Sequence, residues 1–300
     1  MAVEISRAKL RSYWPVYLLV VAPLFMVALF NYQVIASGII HTFYRWDGDT
    51  VREFTGLANL RRAWGDAALW DSFTVVGVFV AANLVKMILP ILVAVVLHHV
   101  VSARWSYLYR VFFVVPMIIP GMVVILLWKY FYEPNSGILN NLLRFFGFIG
   151  PTDTVQWLSD TALVIPSLVF MGFPWVGAFG VLIYLAGLQS ISEEIYEAAE
   201  LDGAGPLSVF WRIELPLITT QVRINLILMT ISTIQGWENV YLFLGIDGGP
   251  GGVATVPGLM IFREAFARGL FGYGCAIGLV IFIVTLCLTI VNNKFVRARR

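Results

Sequence analysis

ISEEIYEAAELDGAGPLSVFWRIELP, residues 191–216, is the one long, acidic, glycine-broken stretch between two runs that are otherwise apolar enough for lipid. It reads as two short helices joined by a sharp turn. Ser192 stands where a side-chain oxygen can accept an orphan N–H. Glu193 and Glu194 fall in the first turn, where the helix dipole favours negative charge. Ala198 and Ala199 are good helix formers with almost no side chain, so another protein's backbone can come close. Asp202-Gly203 stops the helix, because glycine tolerates the left-handed conformation that a helix end commonly needs. Gly205-Pro206 restarts it, with proline at a position where no donor is lost. Pro216 marks the next boundary. A helix lying on a membrane surface is rich in Lys and Arg, whereas this stretch sets Arg212 alone against six acids.

Working outward, the chain has 300 residues, 59% hydrophobic and 13% charged, well below the roughly 25% charged of an average soluble domain. The apolar residues come in long blocks. Lipid permits only helices or closed barrels to span it, and barrel strands would alternate over short segments. The expected class is an all-α polytopic membrane protein with six transmembrane helices and a cytoplasmic helix, in 191–216, between the fourth and the fifth. A basic tail, 1–12, precedes a first membrane helix at 13–36, too long in its apolar core for a cleaved signal peptide. A polar external segment, 37–71, leads to a core of five membrane helices at 72–293, and 294–300 forms a second basic tail. Within the core the spans are expected near 72–97, 111–130, 163–185, 218–244 and 272–291. The net charge of +2 points to no nucleic acid. Cys275 and Cys287 both lie in the last apolar block and read as small packing residues.

Several polar groups sit inside these blocks. Lys86 and Asn83 interrupt the second, and an intramembrane lysine is costly enough to be a functional candidate. It also fits a structural cation that faces a partner subunit or a wet cavity. The fourth block carries Pro166, Gly172, Pro174, Trp175, Gly177 and Gly180, which favour close helix approach and broken geometry. The fifth carries Gln221, Arg223 and Asn225, then Gln235, Gly236, Trp237, Glu238, Asn239 and Tyr241. Planar polar groups suit sugar hydroxyls, and aromatic faces suit sugar C–H surfaces, so this helix supplies both chemistries. Helix–helix hydrogen bonding accounts for the same polarity. His98 and His99 are adjacent, point in different directions on a helix and make a poor metal pair. There is no metalloprotease motif, no nucleophile elbow and no Gly-Lys pair for a phosphate loop, so the chain is expected to be no enzyme.

Glu197-Ala198-Ala199, then Gly203, then Ile213, Leu215 and Pro216 resemble the EAA signature of ATP-binding-cassette importer permeases, with every position met. FTGLANLRRAW from Phe54, the Gly137-Ile138-Leu139-Asn140 turn, LAGLQSI from Leu185 and the Asp247-Gly-Gly-Pro loop resemble the carbohydrate branch. That loop is slightly longer than the branch's pattern and lacks its usual threonine. The resemblance implies that Glu197, Ala198, Ala199, Asp202, Gly203, Ile213, Leu215 and Pro216 couple the chain to an ATPase. It implies a substrate pathway for which Trp237, Glu238, Asn239, Tyr241, Gln235, Trp175 and Lys86 are the candidates. It implies as partners two ATPase subunits, a second permease in a heterodimer, an external solute-binding protein and a sugar or oligosaccharide substrate. No cofactor is expected on this chain, with ATP-Mg on the ATPase.

The compartment follows from charge. Arg7, Lys9, Arg11, Arg104, Arg110, Lys294, Arg297, Arg299 and Arg300 cluster in short pieces. The positive-inside rule then puts both termini, and segment 191–216, in the cytoplasm, and the resemblance implies the cytoplasmic (inner) membrane of a bacterium or archaeon. An ion-gradient secondary transporter, using Lys86, Arg223 and Glu238 as a relay, is the competing reading. It leaves segment 191–216 unexplained.

Overall fold

The computed structural model describes residues 14–99 and 102–295. The tail 1–12 with Arg7, Lys9 and Arg11, and Arg297, Arg299 and Arg300, lie outside the described residues, as do the side chains of Arg104, Arg110 and Lys294. The chain divides into two compact units, Met1–Gly65 with Glu264–Val280, and Asp66–Arg263 with Ile281–Arg300.

The first unit opens with a long apolar helix, α1 (Tyr17–His41). The helix is already formed at Trp14 and runs past Ala36. Its side chains, including Leu19, Phe25 and Phe30, are exposed, a surface that calls for lipid or a partner rather than water. A short hairpin follows, β1 (Tyr44–Trp46) paired antiparallel with β2 (Arg52–Phe54), Arg45 facing Glu53. The sequence reading of 37–71 did not anticipate it. Asp47 shapes its turn by accepting from the N–H groups of Asp49 at 2.9 Å and Val51 at 3.1 Å. Those bonds hold its carboxyl below the usual range, the Asp49 bond most. Helix α2 (Ala58–Gly65) is tied to the hairpin by Asn59, whose Nδ2 donates to the carbonyls of Thr42 and Tyr44. Arg62 lies 3.8 Å over the ring of Tyr273 and pairs at 3.5 Å with Glu264. Arg268 donates to the other carboxylate oxygen of Glu264 at 2.5 Å, so a residue only 2% exposed has cations on both sides of its carboxylate.

The second unit contains α3 (Ala67–Lys86), α4 (Ile88–His99), α5 (Ala103–Val114), α6 (Gly121–Phe131) and α7 (Ile138–Phe145). It continues with α8 (Val164–Phe170), α9 (Ala178–Gln189), α10 (Glu193–Leu201), α11 (Pro206–Val209), α12 (Thr219–Gln235), α13 (Glu238–Leu244) and α14 (Pro257–Phe262). Phe271–Phe295 forms the closing helix, α15, which belongs to the first unit as far as Val280 and to the second from Ile281.

Six continuous membrane helices, the sequence expectation, are not what the chain forms. Among the described residues three helices are long and apolar enough to cross a membrane: Tyr17–His41, Ala67–His99 and Phe271–Val291. Two bent pairs raise the number to five at most, Val111–Ile118 with Gly121–Phe131 at 91°, and Pro206–Leu217 with Thr219–Gln235 at 66°. The all-α class itself stands, apart from the hairpin.

The breaks have local causes. Pro116 and Pro120 interrupt the third block between α5 and α6. The fourth block divides into α8 and α9, neither of membrane length, because Gly172 and Trp175 take left-handed backbone between them, with φ of 81° and 59°. The fifth divides at Gly236, which leaves the helix in an extended conformation. Pro90 has no N–H for the carbonyl of Lys86, four residues back, and α3 gives way to α4 at Met87.

The core of this unit sits where α4 and α9 meet, with Ala94, Leu97, Val181, Tyr184, Leu185, Leu188 and Ile218 all buried. Gly180 permits that approach. A Cβ there would lie 3.1 Å from Pro90 and 3.0 Å from the amide nitrogen of Asn225. The Gly137 turn is equally tight, since a Cβ would run into the Glu133 carbonyl. The turn seats Asn140, fully buried, which donates to Pro134 and Val155 and accepts from Trp157 Nε1.

Candidate functional site

Segment 191–216 folds as its residues dictate, with refinements. Ser192 takes the N-cap position of α10 but makes no side-chain capping bond, contrary to the expectation. Gly203 adopts φ 71°. Its N–H bonds to Glu200 O at 2.9 Å and that of Ala204 to Ala199 O at 2.9 Å, the paired bonds of a glycine helix stop. Pro206 restarts the chain at the first turn of α11. Pro216 offers no N–H to the Arg212 carbonyl, and the turn Phe210–Glu214 widens, Leu215 N–H reaching back to Phe210 O.

The two alanines part company. Ala199 is buried against its own chain, whereas Ala198 is exposed, with Glu197, Asp202, Gly203 and Pro216; Ile213 and Leu215 are half-buried. Only Ala198 of the pair therefore offers the close approach expected of both. What the sequence reading missed is apolar. Leu201 is 89% exposed, Leu207 77% and Trp211 63%. They flank the glycine turn on an otherwise acidic segment, a pattern open to a search for large apolar residues beside a helix stop.

A buried carboxylate holds this segment to the membrane helices. Glu214 is 1% exposed. Its Oε1 is bonded to Nε2 of His99 at the end of α4 and accepts from Tyr196 Oη of α10 at 3.1 Å. Burial first, and the charge of Glu214 second, push the Tyr196 hydroxyl well above its ordinary pKa, so it stays a donor. His98 lies beside this group, its ring 4.7 Å from that of His99 and 5.7 Å from that of Tyr196. The histidines thus do converge, with ligand atoms of His98, His99 and Glu214 all within 4.8 Å of one another.

A second constellation lies among α3, α8, α9 and α12. Two cavities, of about 300 Å³ and about 600 Å³, share Asn83, Lys86, Ser232 and Thr233 in their walls. Asn239 lines the smaller, Trp175 and Gln235 the larger. Asn83 donates to Thr233 Oγ1 at 2.9 Å, joining α3 to α12. Asn225 donates to Tyr184 Oη at 2.8 Å, joining α12 to α9. Four of the pathway candidates, Lys86, Trp175, Gln235 and Asn239, therefore line these cavities. Trp237, Glu238 and Tyr241 line neither. Trp237 stacks on Phe262 of α14 at 4.8 Å, with Tyr241 5.3 Å from the same ring. Glu238 opens α13 and accepts from the Trp237 N–H at 3.2 Å. Arg223 and Glu238 line neither of the two cavities that hold Lys86.

Comparison with known proteins places the chain. The family described as "Binding-protein-dependent transport system inner membrane component" matches residues 86–300. The "Probable ABC transporter permease protein YurN" of Bacillus subtilis is 28% identical over 279 residues, 92% of this chain and 94% of that one. The "Trehalose/maltose transport system permease protein MalF" of Thermococcus litoralis is 32% identical over 251 residues, 83% of this chain and 82% of that one. A chain from the crystal structure of a bacterial ABC transporter that imports the acidic polysaccharide alginate shares the fold, with TM-score 0.82 and 21% identity over 97% of both chains.

Proposed function

The chain belongs to the family of binding-protein-dependent transport system inner membrane components, and from that premise we propose that it forms half of an oligosaccharide pathway and receives the stroke of an ATPase through residues 191–216. It is a permease subunit of an ATP-driven importer and a multi-pass inner-membrane protein, and it is not itself an enzyme. The sugar assignment draws on the trehalose and maltose named for the relative of Thermococcus litoralis.

The observation that carries the docking role is the exposure of Leu201, Leu207 and Trp211 around the Gly203 turn. Apolar groups this exposed on an acidic helix favour burial against a protein partner. Glu197, Ala198 and Asp202 lie on the same exposed segment. Two ATPase subunits, carrying ATP-Mg, would hold two such segments, one from this chain and one from a second permease. Closure of the ATPases would push α10, and Glu214 with its partners His99 and Tyr196 would pass that push to α4. The cavities that hold Lys86, Gln235, Asn239 and Trp175 would then open to the opposite side, where a solute-binding protein presents the sugar. In this orientation segment 191–216 and both termini face the cytoplasm, and the hairpin of 44–54 faces outward.

The test uses the assembled complex in proteoliposomes. Gly203→Val forces a branched residue into left-handed backbone, and Glu197→Lys reverses charge on the docking face. Both variants are expected to insert and fold, yet to lose at least about tenfold in uptake per ATP hydrolysed, the equivalent of about 1.4 kcal/mol of lost coupling. Unchanged ATP-driven uptake in both would overturn the docking role.

A further inference from the structure

We propose that the solute taken by the Lys86 cavities is an anionic saccharide, one that carries a carboxylate, sulfonate or phosphate besides its hydroxyls. This rests on the pathway reading above and sharpens it. Lys86 is the last residue of α3, inside the apolar stretch Ala67–His99, and lines both cavities. No other formally charged side chain lines either. Among the described residues no carboxylate lies within ion-pair distance of its ammonium. The nearest recorded partner is the ring of Trp175, 5.5 Å from Nζ. Such a contact recovers only a small part of the cost of a membrane-embedded charge.

The rest of the lining makes the charge more telling. Asn83 spends an amide N–H on Thr233 Oγ1. Ser232 and Thr233 spend their hydroxyl protons on the Met229 carbonyl, at 3.0 Å and 2.7 Å. What these groups retain is chiefly acceptor capacity, which suits the O–H donors of a sugar and repels an anion. Lys86 then supplies three charged donors at one place in the wall. A neutral sugar would satisfy the acceptors and offer the ammonium hydroxyl oxygens, but would leave its charge unneutralised. A saccharide with one anionic group satisfies both. Trp175 is set for this arrangement by its own backbone. It holds φ 59°, a conformation rare outside glycine, while its indole N–H is anchored to the carbonyls of Phe170 and Met171.

The experiment is equilibrium binding of two probes of equal length, tri-galacturonate and maltotriose, to the permease–ATPase complex in nanodiscs without its binding protein. The expected result is at least tenfold tighter binding of tri-galacturonate, a preference that weakens as salt is raised. Lys86→Met should erase the preference and Lys86→Arg should keep it. Equal affinity for the two probes overturns the proposal, as does a preference that survives Lys86→Met. Weak binding of both probes to the wild-type complex at millimolar concentration, with no difference between wild type and Lys86→Met, also overturns it. A carboxylate of the second permease that neutralises Lys86 in the assembly would give one of these outcomes. None of them bears on the importer reading, which stands or falls on the uptake of the Gly203 and Glu197 variants.

Discussion

Segment 191–216 and the cavity walls among α3, α9 and α12 do comparable jobs by opposite means. The segment is a local structure. A glycine stop, a proline restart and an acidic first turn are all settled within a few residues of chain, and one buried carboxylate ties the result to α4. The cavity walls have no such local logic. They are closed by many small interactions between distant residues, as with Asn83 and Thr233, 150 positions apart. On the proposed function, a structure that must move as a body is pinned at one strong point, and a surface that must reshape around a solute is stitched by weak ones. That difference fixes where mutations should be severe and where mild.

The largest effect is expected at the strong point. Glu214→Ala removes the buried acceptor shared by the exposed His99 and the half-buried Tyr196. Hydrogen bonds to a charged group are worth about 1.5–3 kcal/mol each, so losing both costs about 3 kcal/mol or more. Thermal melting of the detergent-solubilised chain should fall accordingly, with Tyr196→Phe costing only about 1.5 kcal/mol. If Glu214→Ala melts like the wild type, the carboxylate is no anchor and the contrast between the two regions collapses.

Next comes the helix contact that lets the cavity walls approach. Gly180→Val places a branched side chain against the Pro90 ring and Asn225. A proline ring cannot swing aside as a long side chain can, so overpacking should cost about 1–3 kcal/mol. Pro90→Ala in the same background should recover part of that loss. Failure of the second substitution to help would place the strain elsewhere in the α4–α9 seam.

How much of this was legible in the sequence follows the same division. The stop at Gly203 and the restart at Pro206 were readable because a helix end is decided by its own residues. The count of membrane spans was not, because hydropathy registers composition and is blind to backbone direction. Residues 163–185 have the composition of one span, yet Gly172 and Trp175 turn the chain between α8 and α9. Lys86 stood out as a charge among apolar neighbours, but the cavity around it depends on α12 and could not be seen from α3 alone. GWENVY, from Gly236, drew attention for its polarity. The structure spends Trp237 and Tyr241 on packing with Phe262 and brings Asn239 and Gln235 to the cavities instead.

A third substitution separates docking from folding. Leu201 is so exposed that Leu201→Asp should leave the stability of the isolated chain within about 0.5 kcal/mol of wild type. The ATPase should nevertheless co-purify about tenfold less well, a loss of about 1.4 kcal/mol in affinity. A fall in stability without a fall in ATPase recovery would mean that Leu201 packs within its own chain, and the segment would lose its reading as a docking surface.

The smallest effect should come from a single stitch in the cavity wall. Thr233→Val keeps the shape of the side chain but removes the oxygen that accepts from Asn83 and donates to the Met229 carbonyl. Interhelical hydrogen bonds of this kind are worth about 0.6 kcal/mol on average in a membrane, because the separated helices find other partners. Melting should therefore barely change. Solute affinity in the assembled complex should change more than stability does, since Thr233 lines both cavities beside Lys86. Should Thr233→Val prove as destabilising as Glu214→Ala, the cavity wall would be pinned as rigidly as the coupling segment, and the distinction between a moving body and a reshaping surface would have to be abandoned.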